Sequence, residues 1–187
     1  MLTEDSSAVL PQPARSVILI GASATGKTSV GRDLAAQLLV DFLDLDDLVE
    51  EALGASMDAL VIDDHPELVP TQERLACELL RQERLSADGG AVIALSPSVS
   101  IMPTVLGAVR EARENGHLVV ELYASMSEIA RRTGLNAPRA VALGAPRAIL
   151  ARLMEQMRQI HGDVAQVSVD TVGRSTDIIS QEVRNSL

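Results

Sequence analysis

The sequence predicts an α/β domain of three layers, a parallel sheet covered by helices on both faces. Three observations carry this reading. Short apolar runs alternate with amphipathic stretches from Arg15 to the end of the chain, the pattern of strands joined by crossover helices. A glycine-rich stretch, GASATGKT (21–28), lies between the apolar run SVILI and the helical pattern SVGRDLAAQLL. With 187 residues, the chain is long enough for one well-buried core and too short for two ordinary domains.

Taken in order, residues 1–14, with Pro11 and Pro13, read as a loose tail and 15–187 as a single domain. SVILI (16–20) reads as a buried strand, and Thr28 to Leu39 as a helix with Val30, Leu34, Leu38 and Leu39 apolar. DFLDL (41–45) is a second strand, followed by a helix from Asp46 to about Leu53. Residues 68–84 form a helical pattern, and RLSAD (84–88) reads as a weak strand ending in Gly89-Gly90. A helix through about 101–114 stops at ENGH, where Gly116 suits a helix end. LVVELY (118–123) is the clearest later strand. A helix at about 126–133 leads into GLNAPRAVALGAP, whose glycines and prolines predict a mobile loop over about 134–145. A helix over 146–160, a last strand AQVSVD (165–170) and a closing helix over 175–186 complete a five-stranded plan.

Composition narrows the function. The chain is 47% hydrophobic, yet its only aromatic residues are Phe42 and Tyr123, so the core is built from Leu, Val, Ile, Ala and Met, and base stacking on aromatic rings is nearly excluded. A formal net charge of -10 repels nucleic acid and anionic membranes. An anionic ligand must then be met by a local positive pocket. The lone Cys77 has no internal disulfide partner and reads as a small apolar residue. His65, His117 and His161 lack metal-ligand spacing. No apolar run approaches a membrane span, and MLTEDSSAVL carries acidic residues where a secretory leader carries positive charge. The expectation is a soluble, cytoplasmic protein, with a monomer favoured.

GASATGKT satisfies G-x-x-x-x-G-K-[ST] and has a strand before it and a helix after it, the context of a P-loop. The architecture expected is therefore a P-loop NTPase-like sandwich. Gly21 and Gly26 let successive N–H groups point into one concavity, and the helix N-terminus adds partial positive charge. The candidate nucleotide-binding residues are Gly21, Ala22, Ser23, Ala24, Thr25, Gly26, Lys27, Thr28 and Ser29. Lys27 would reach the β- and γ-phosphates of ATP, and the Thr28 hydroxyl would ligate Mg²⁺. In FLDLDDLVEE, Asp44 and Asp46 lie two apart at a strand end, so both carboxylates can face the crevice at the carboxyl end of the sheet. One could hold the Mg²⁺ shell and the other accept a hydroxyl proton; equally, Asp46 and Asp47 could simply start the next helix. Asp88 is another candidate for Mg²⁺, read as a carboxylate at a strand end beside the P-loop.

The segments GASATGKTSVGRDLA, FLDLDDLVEE, DGGAV, ARRTGLNAPRAV and VSVDT, in this order, resemble the shikimate kinase family of small P-loop kinases, over nearly the whole chain from Ser16. The resemblance implies a five-stranded parallel sheet, ATP and Mg²⁺ as cofactors, and phosphoryl transfer to the 3-hydroxyl of shikimate in aromatic amino acid biosynthesis. It implies that Asp46 contacts the acceptor hydroxyls and acts as base, and that Asp44 organises Mg²⁺. It also implies that Lys27 and the lid arginine, Arg139, stabilise the transferring phosphoryl group, and that Arg132 and Arg174 flank the adenine. Gly89 and Gly90 fall in the family's substrate-binding glycine run. The chain departs from the family pattern at three places: Pro70 and Gly162 fall where two carboxylate-binding arginines belong, and the first glycine of the run of three is Asp88. Two alternatives therefore stand beside shikimate phosphorylation, a kinase for a different polyol and a nucleotide-binding protein without catalysis.

Overall fold

The computed structural model describes residues 15–85, 89–133 and 144–187. Among them, strand β1 (Val17–Ile20) leads through the glycine-rich loop into helix α1 (Lys27–Leu38), then β2 (Asp41–Asp44), α2 (Leu45–Leu53) and α3 (Met57–Ile62). Next come α4 (Leu68–Leu79), α5 (Gln82–Leu85), β3 (Ala91–Ala94), α6 (Pro103–Glu114) and β4 (Leu118–Tyr123). The chain closes with α7 (Met126–Arg132), α8 (Gly144–Val164), β5 (Val167–Asp170) and α9 (Thr176–Arg184).

The strands form one five-stranded sheet in the order β2-β3-β1-β4-β5, with every pairing parallel. β1 lies at its centre, and alternate side chains feed two cores. Val17 and Leu19 pack with Leu34, Val120, Val169 and Ile179 under α1 and α9, while Ile18 and Ile20 pack with Val49, Ile93 and Val119 under α2, α4, α6 and α8. A strand buried on both faces needs a continuous apolar run, which is what VILI supplies. Helix starts follow the expected chemistry: Asp44 caps α2, Ser56 caps α3 and Ser125 caps α7, each through its side-chain oxygen. Gly54, in the left-handed conformation, ends α2.

The expected strand over 84–88 is corrected. Gln82–Leu85 is a turn of helix, and the third strand begins only after Gly90. All four residues of β3 are buried, so the apolar run AVIA outcompetes RLSAD for the place between β1 and β2. The double glycine opens this strand instead of closing it. Gly90 has φ +99°, and a Cβ there would meet the Arg15 backbone at 3.3 Å. The expected helix over 68–84 is divided into α4 and α5, α3 is an element the sequence did not suggest, and α8 starts inside the region expected to form the loop. Residues 1–14, 86–88 and 134–143, and with them Asp88 and Arg139, lie outside the described residues.

A buried polar cluster fixes α8 on the sheet. Glu121 of β4, almost fully buried, accepts from Arg158 Nη1 at 2.8 Å and Ser168 Oγ at 2.9 Å, and the Arg158 guanidinium lies 3.6 Å over the Tyr123 ring. His161 sits beside Glu121 and hydrogen-bonds through Nε2 to Ser100 at 3.1 Å. Burial, reinforced by the charge of Lys27, pushes His161 down to about 4, so the imidazole is neutral at neutral pH. No buried side-chain nitrogen or oxygen among the described residues lacks a partner.

At the head of the glycine-rich loop, Gly21 adopts φ +146°, and a Cβ there would stand 2.1 Å from the Leu122 carbonyl oxygen. That obstacle is backbone of β4, which cannot move aside. Gly21→Ala is therefore expected to destabilise the fold by about 2–4 kcal/mol, from strain plus displaced strand backbone. Urea unfolding monitored by circular dichroism reads the effect; an unchanged midpoint would contradict this packing.

Candidate active site

The functional side chains gather at the carboxyl end of the sheet, where chain reversals leave open loops. After β1, the backbone turns through Gly21 and Ala24, the latter at φ +60°, and enters α1 at Gly26, φ +98°. No side chain caps α1. Its first N–H groups, which have no partner within the helix, are left facing outward as an anion site. Thr25 Oγ1 braces the loop by donating to the Ala22 carbonyl at 2.8 Å, and Lys27 Nζ donates to the carbonyls of Gly21 at 2.8 Å and Ala22 at 3.0 Å. Burial pushes the Lys27 amine down to about 8, against the opposing pull of the Asp46 and Asp44 carboxylates.

Asp44 ends β2 and is 8% exposed. Its Oδ2 accepts from Thr28 Oγ1 at 2.7 Å and its Oδ1 from the Asp46 backbone N–H at 3.1 Å. Burial pushes the Asp44 carboxyl up, while the Thr28 hydrogen bond opposes the shift. A buried carboxylate under this penalty, touching a hydroxyl, is a hard-oxygen pair suited to Mg²⁺. Among the described residues no group of three or more His, Cys, Asp or Glu could hold a metal ion; Mg²⁺ characteristically takes one or two carboxylates together with substrate phosphates.

Asp46 does not alternate with Asp44 along a strand, as the sequence suggested. It lies in the first turn of α2, and the two carboxylates converge because the chain turns from strand into helix between them. Its Oδ1 accepts a short hydrogen bond from Ser96 Oγ, at the carboxyl end of β3. The predicted substrate position of Gly89 and Gly90 is corrected by the register of that strand: they precede β3, at the amino end of the sheet, far from the P-loop. Leu95, Ser96 and Pro97 occupy the place beside Asp46 and Lys27. Placing the strand over AVIAL would have brought Ser96 to the site from sequence alone.

Three cavities adjoin one another across this end. The first, about 600 Å³, is lined by Ala24, Gly26 and Ser29 and flanked by Arg132 and Arg174. Arg132 donates to the Ala24 carbonyl at 2.9 Å, the Thr171 carbonyl at 2.8 Å and Glu128 at 2.8 Å, bridging the P-loop, α7 and the turn after β5. Arg174 is held by the Asp170 carbonyl at 3.0 Å and by Glu182. The second, about 240 Å³, contains Ser23, Lys27, Thr28, Asp44 and Asp46. The third, about 500 Å³, shares Ser23, Asp46 and Pro97 with the second and extends between α3 and α4, past Ser96, Met57, Asp58, Val61, Ile62, Leu68, Val69 and Gln72. Asp46 stands on the boundary between the second and third cavities.

The shikimate kinase family model matches residues 23–187. A shikimate kinase of Salinispora tropica is 34% identical over 169 residues, covering 89% of this chain and 93% of that one, and one of Frankia casuarinae is 34% identical over 164 residues, covering 88% and 68%. The chain belongs to the shikimate kinase family. A solved shikimate kinase from Acinetobacter baumannii, in complex with shikimate, has the same fold, with a TM-score of 0.73 at 20% identity and 92% of each chain covered. Shikimate kinases are phosphotransferases acting on an alcohol group, and ATP-dependent phosphoryl transfer is the reaction class of this chain.

Neither position at which the family resemblance expects a carboxylate-binding arginine lines the third cavity. Pro70 is exposed on α4 and Gly162 is exposed on α8. Arg74 pairs with Glu78 at 3.0 Å and Arg158 is committed to Glu121, so neither turns to the third cavity.

The lowered Lys27 amine has a measurable consequence. Above pH 8 the free protein carries a neutral amine, and anionic phosphates bound beside it favour the ammonium again. At about pH 9, ATP binding is expected to take up a large fraction of a proton. Calorimetry in buffers of different ionisation enthalpy reads this, and Lys27→Arg, charged throughout, should show close to none. Equal proton uptake in both proteins would contradict the assignment.

Proposed function

We propose that the chain transfers the γ-phosphoryl group of ATP directly to a hydroxyl of a small polyol, with the 3-hydroxyl of shikimate the first acceptor to test. The observation that carries this reading is the continuity of the three cavities, with Lys27, Thr28 and Asp44 in the middle one and Asp46 where it opens into the third. The reaction axis runs from the P-loop toward the α3–α4 crevice.

The P-loop amides and Lys27 hold the β- and γ-phosphates, and Arg132 and Arg174 flank the adenosine end, where a guanidinium plane replaces the missing aromatic ring. Thr28 and Asp44 would hold Mg²⁺, which supplies neutralisation of phosphate charge when bound. Asp46, oriented by Ser96, accepts the proton of the acceptor hydroxyl as its oxygen bonds to the γ-phosphorus. The bond from that phosphorus to the β–γ bridging oxygen breaks, and ADP leaves. Arg139, on the segment carried over as a lid, adds positive charge to the transfer in this reading. Ser96 is a positioning residue: it touches the base, leaving the other Asp46 oxygen for the acceptor. The proposal places this activity in the cytoplasm and in a monomer.

Initial rates of ADP formation with Mg²⁺ and ATP, titrated with shikimate, test the reaction. Acceptor-dependent, saturable turnover is expected, falling about 10²-fold or more in Lys27→Ala. ATP binding with no acceptor-dependent rate for any polyol would contradict it.

A further inference from the structure

The third cavity carries charge of the same sign as its expected acceptor, a carboxylate. Two carboxylates line it, Asp46 at the P-loop side and Asp58 in the first turn of α3. Among the described residues no lysine or arginine does. The cavity also has an apolar wall: Val61 and Ile62, one turn beyond Asp58 on α3, and Val69 on α4 line it while remaining 61%, 81% and 47% exposed. Exposed aliphatic side chains at a cavity mouth are suited to covering an apolar ring face.

We infer that this cavity recognises an uncharged, polyhydroxylated ring through Asp46 and its apolar wall, and draws no affinity from an acceptor carboxylate. The inference rests on the phosphotransfer reading above and names the acceptor class for the same site. A carboxylate entering the cavity loses hydration, meets no cation from the described walls and faces like charge on Asp58 and Asp46. An ester of the same ring keeps every hydroxyl, presents the same apolar face and sheds that penalty.

The test compares shikimate with shikimate methyl ester on the full chain. The expected result is a kcat/KM for the ester equal to that for shikimate or up to about tenfold higher, with dissociation constants from ligand-observed NMR titration in the same order. Asp58→Asn is expected to raise kcat/KM for shikimate about threefold while leaving the ester within twofold. Val69→Arg, at a half-exposed position, is expected to reverse the preference toward shikimate. A preference of about tenfold or more for shikimate in the unaltered chain overturns the inference, because a cation must then reach the carboxylate. Failure of both compounds to bind overturns it as well. Binding of both without ADP formation overturns the phosphotransfer reading alone, since the ratio of dissociation constants still decides the acceptor class.

Discussion

The hydrogen bond from Thr28 to Asp44 joins two halves of the molecule that sequence separates by a whole helix and strand. Thr28 belongs to the phosphate end, in the first turn of α1; Asp44 closes β2 and caps α2. Because the second Asp44 oxygen accepts from the Asp46 N–H, the same carboxylate sets where Asp46 stands. One buried aspartate thus relates the glycine-rich turn to Asp46. The rest of the fold keeps these strand ends in register: β1 and β2 are not neighbours, and β3 between them delivers Ser96 to Asp46.

Rigidity and openness are divided between the two sides. On the nucleotide side, Arg132 bridges the P-loop, α7 and the turn after β5 with hydrogen bonds to fixed backbone, and beneath the site the Glu121–Arg158–His161 cluster anchors α8 on the face shared with α2, α4 and α6. Each buried polar group there is satisfied, which makes misregistration costly. On the acceptor side, α3 is short and several of its apolar side chains remain exposed. In the proposed reading, phosphate recognition therefore sits on a stiff frame and acceptor recognition on a short helix with exposed apolar side chains.

That division also explains what was legible in the sequence. The P-loop was readable because its glycines, lysine and threonine are required at fixed spacing by backbone geometry and phosphate charge, β1 because it is a continuous apolar run, and β4 because it is apolar apart from Glu121 and Tyr123 at its carboxyl half. Arg132 and Arg174, which the family resemblance assigns to the adenine, line the first cavity. The third strand was misread because Gly89-Gly90 looks the same opening a strand as closing one, and the buried run that decides it lies just beyond. With the strand displaced, Ser96 went unnoticed and two glycines were brought to the wrong end of the sheet. Asp58 was missed for another reason: α3 is six residues long, with too little periodicity to announce itself beyond its Ser56 cap.

Asp44 and Asp46 are two residues apart, yet the proposed function gives the first to the metal and phosphate and the second to the acceptor. Measuring ATP affinity as a function of Mg²⁺, together with acceptor-dependent turnover, in Asp44→Asn and Asp46→Asn separates the roles. Asp44→Asn is expected to remove most of the Mg²⁺-dependent gain in ATP affinity, about tenfold or more. Asp46→Asn should leave that gain intact and lower kcat by about 10²-fold or more. Identical effects of the two substitutions on Mg²⁺-dependent affinity, or full turnover without Asp46, would contradict the account.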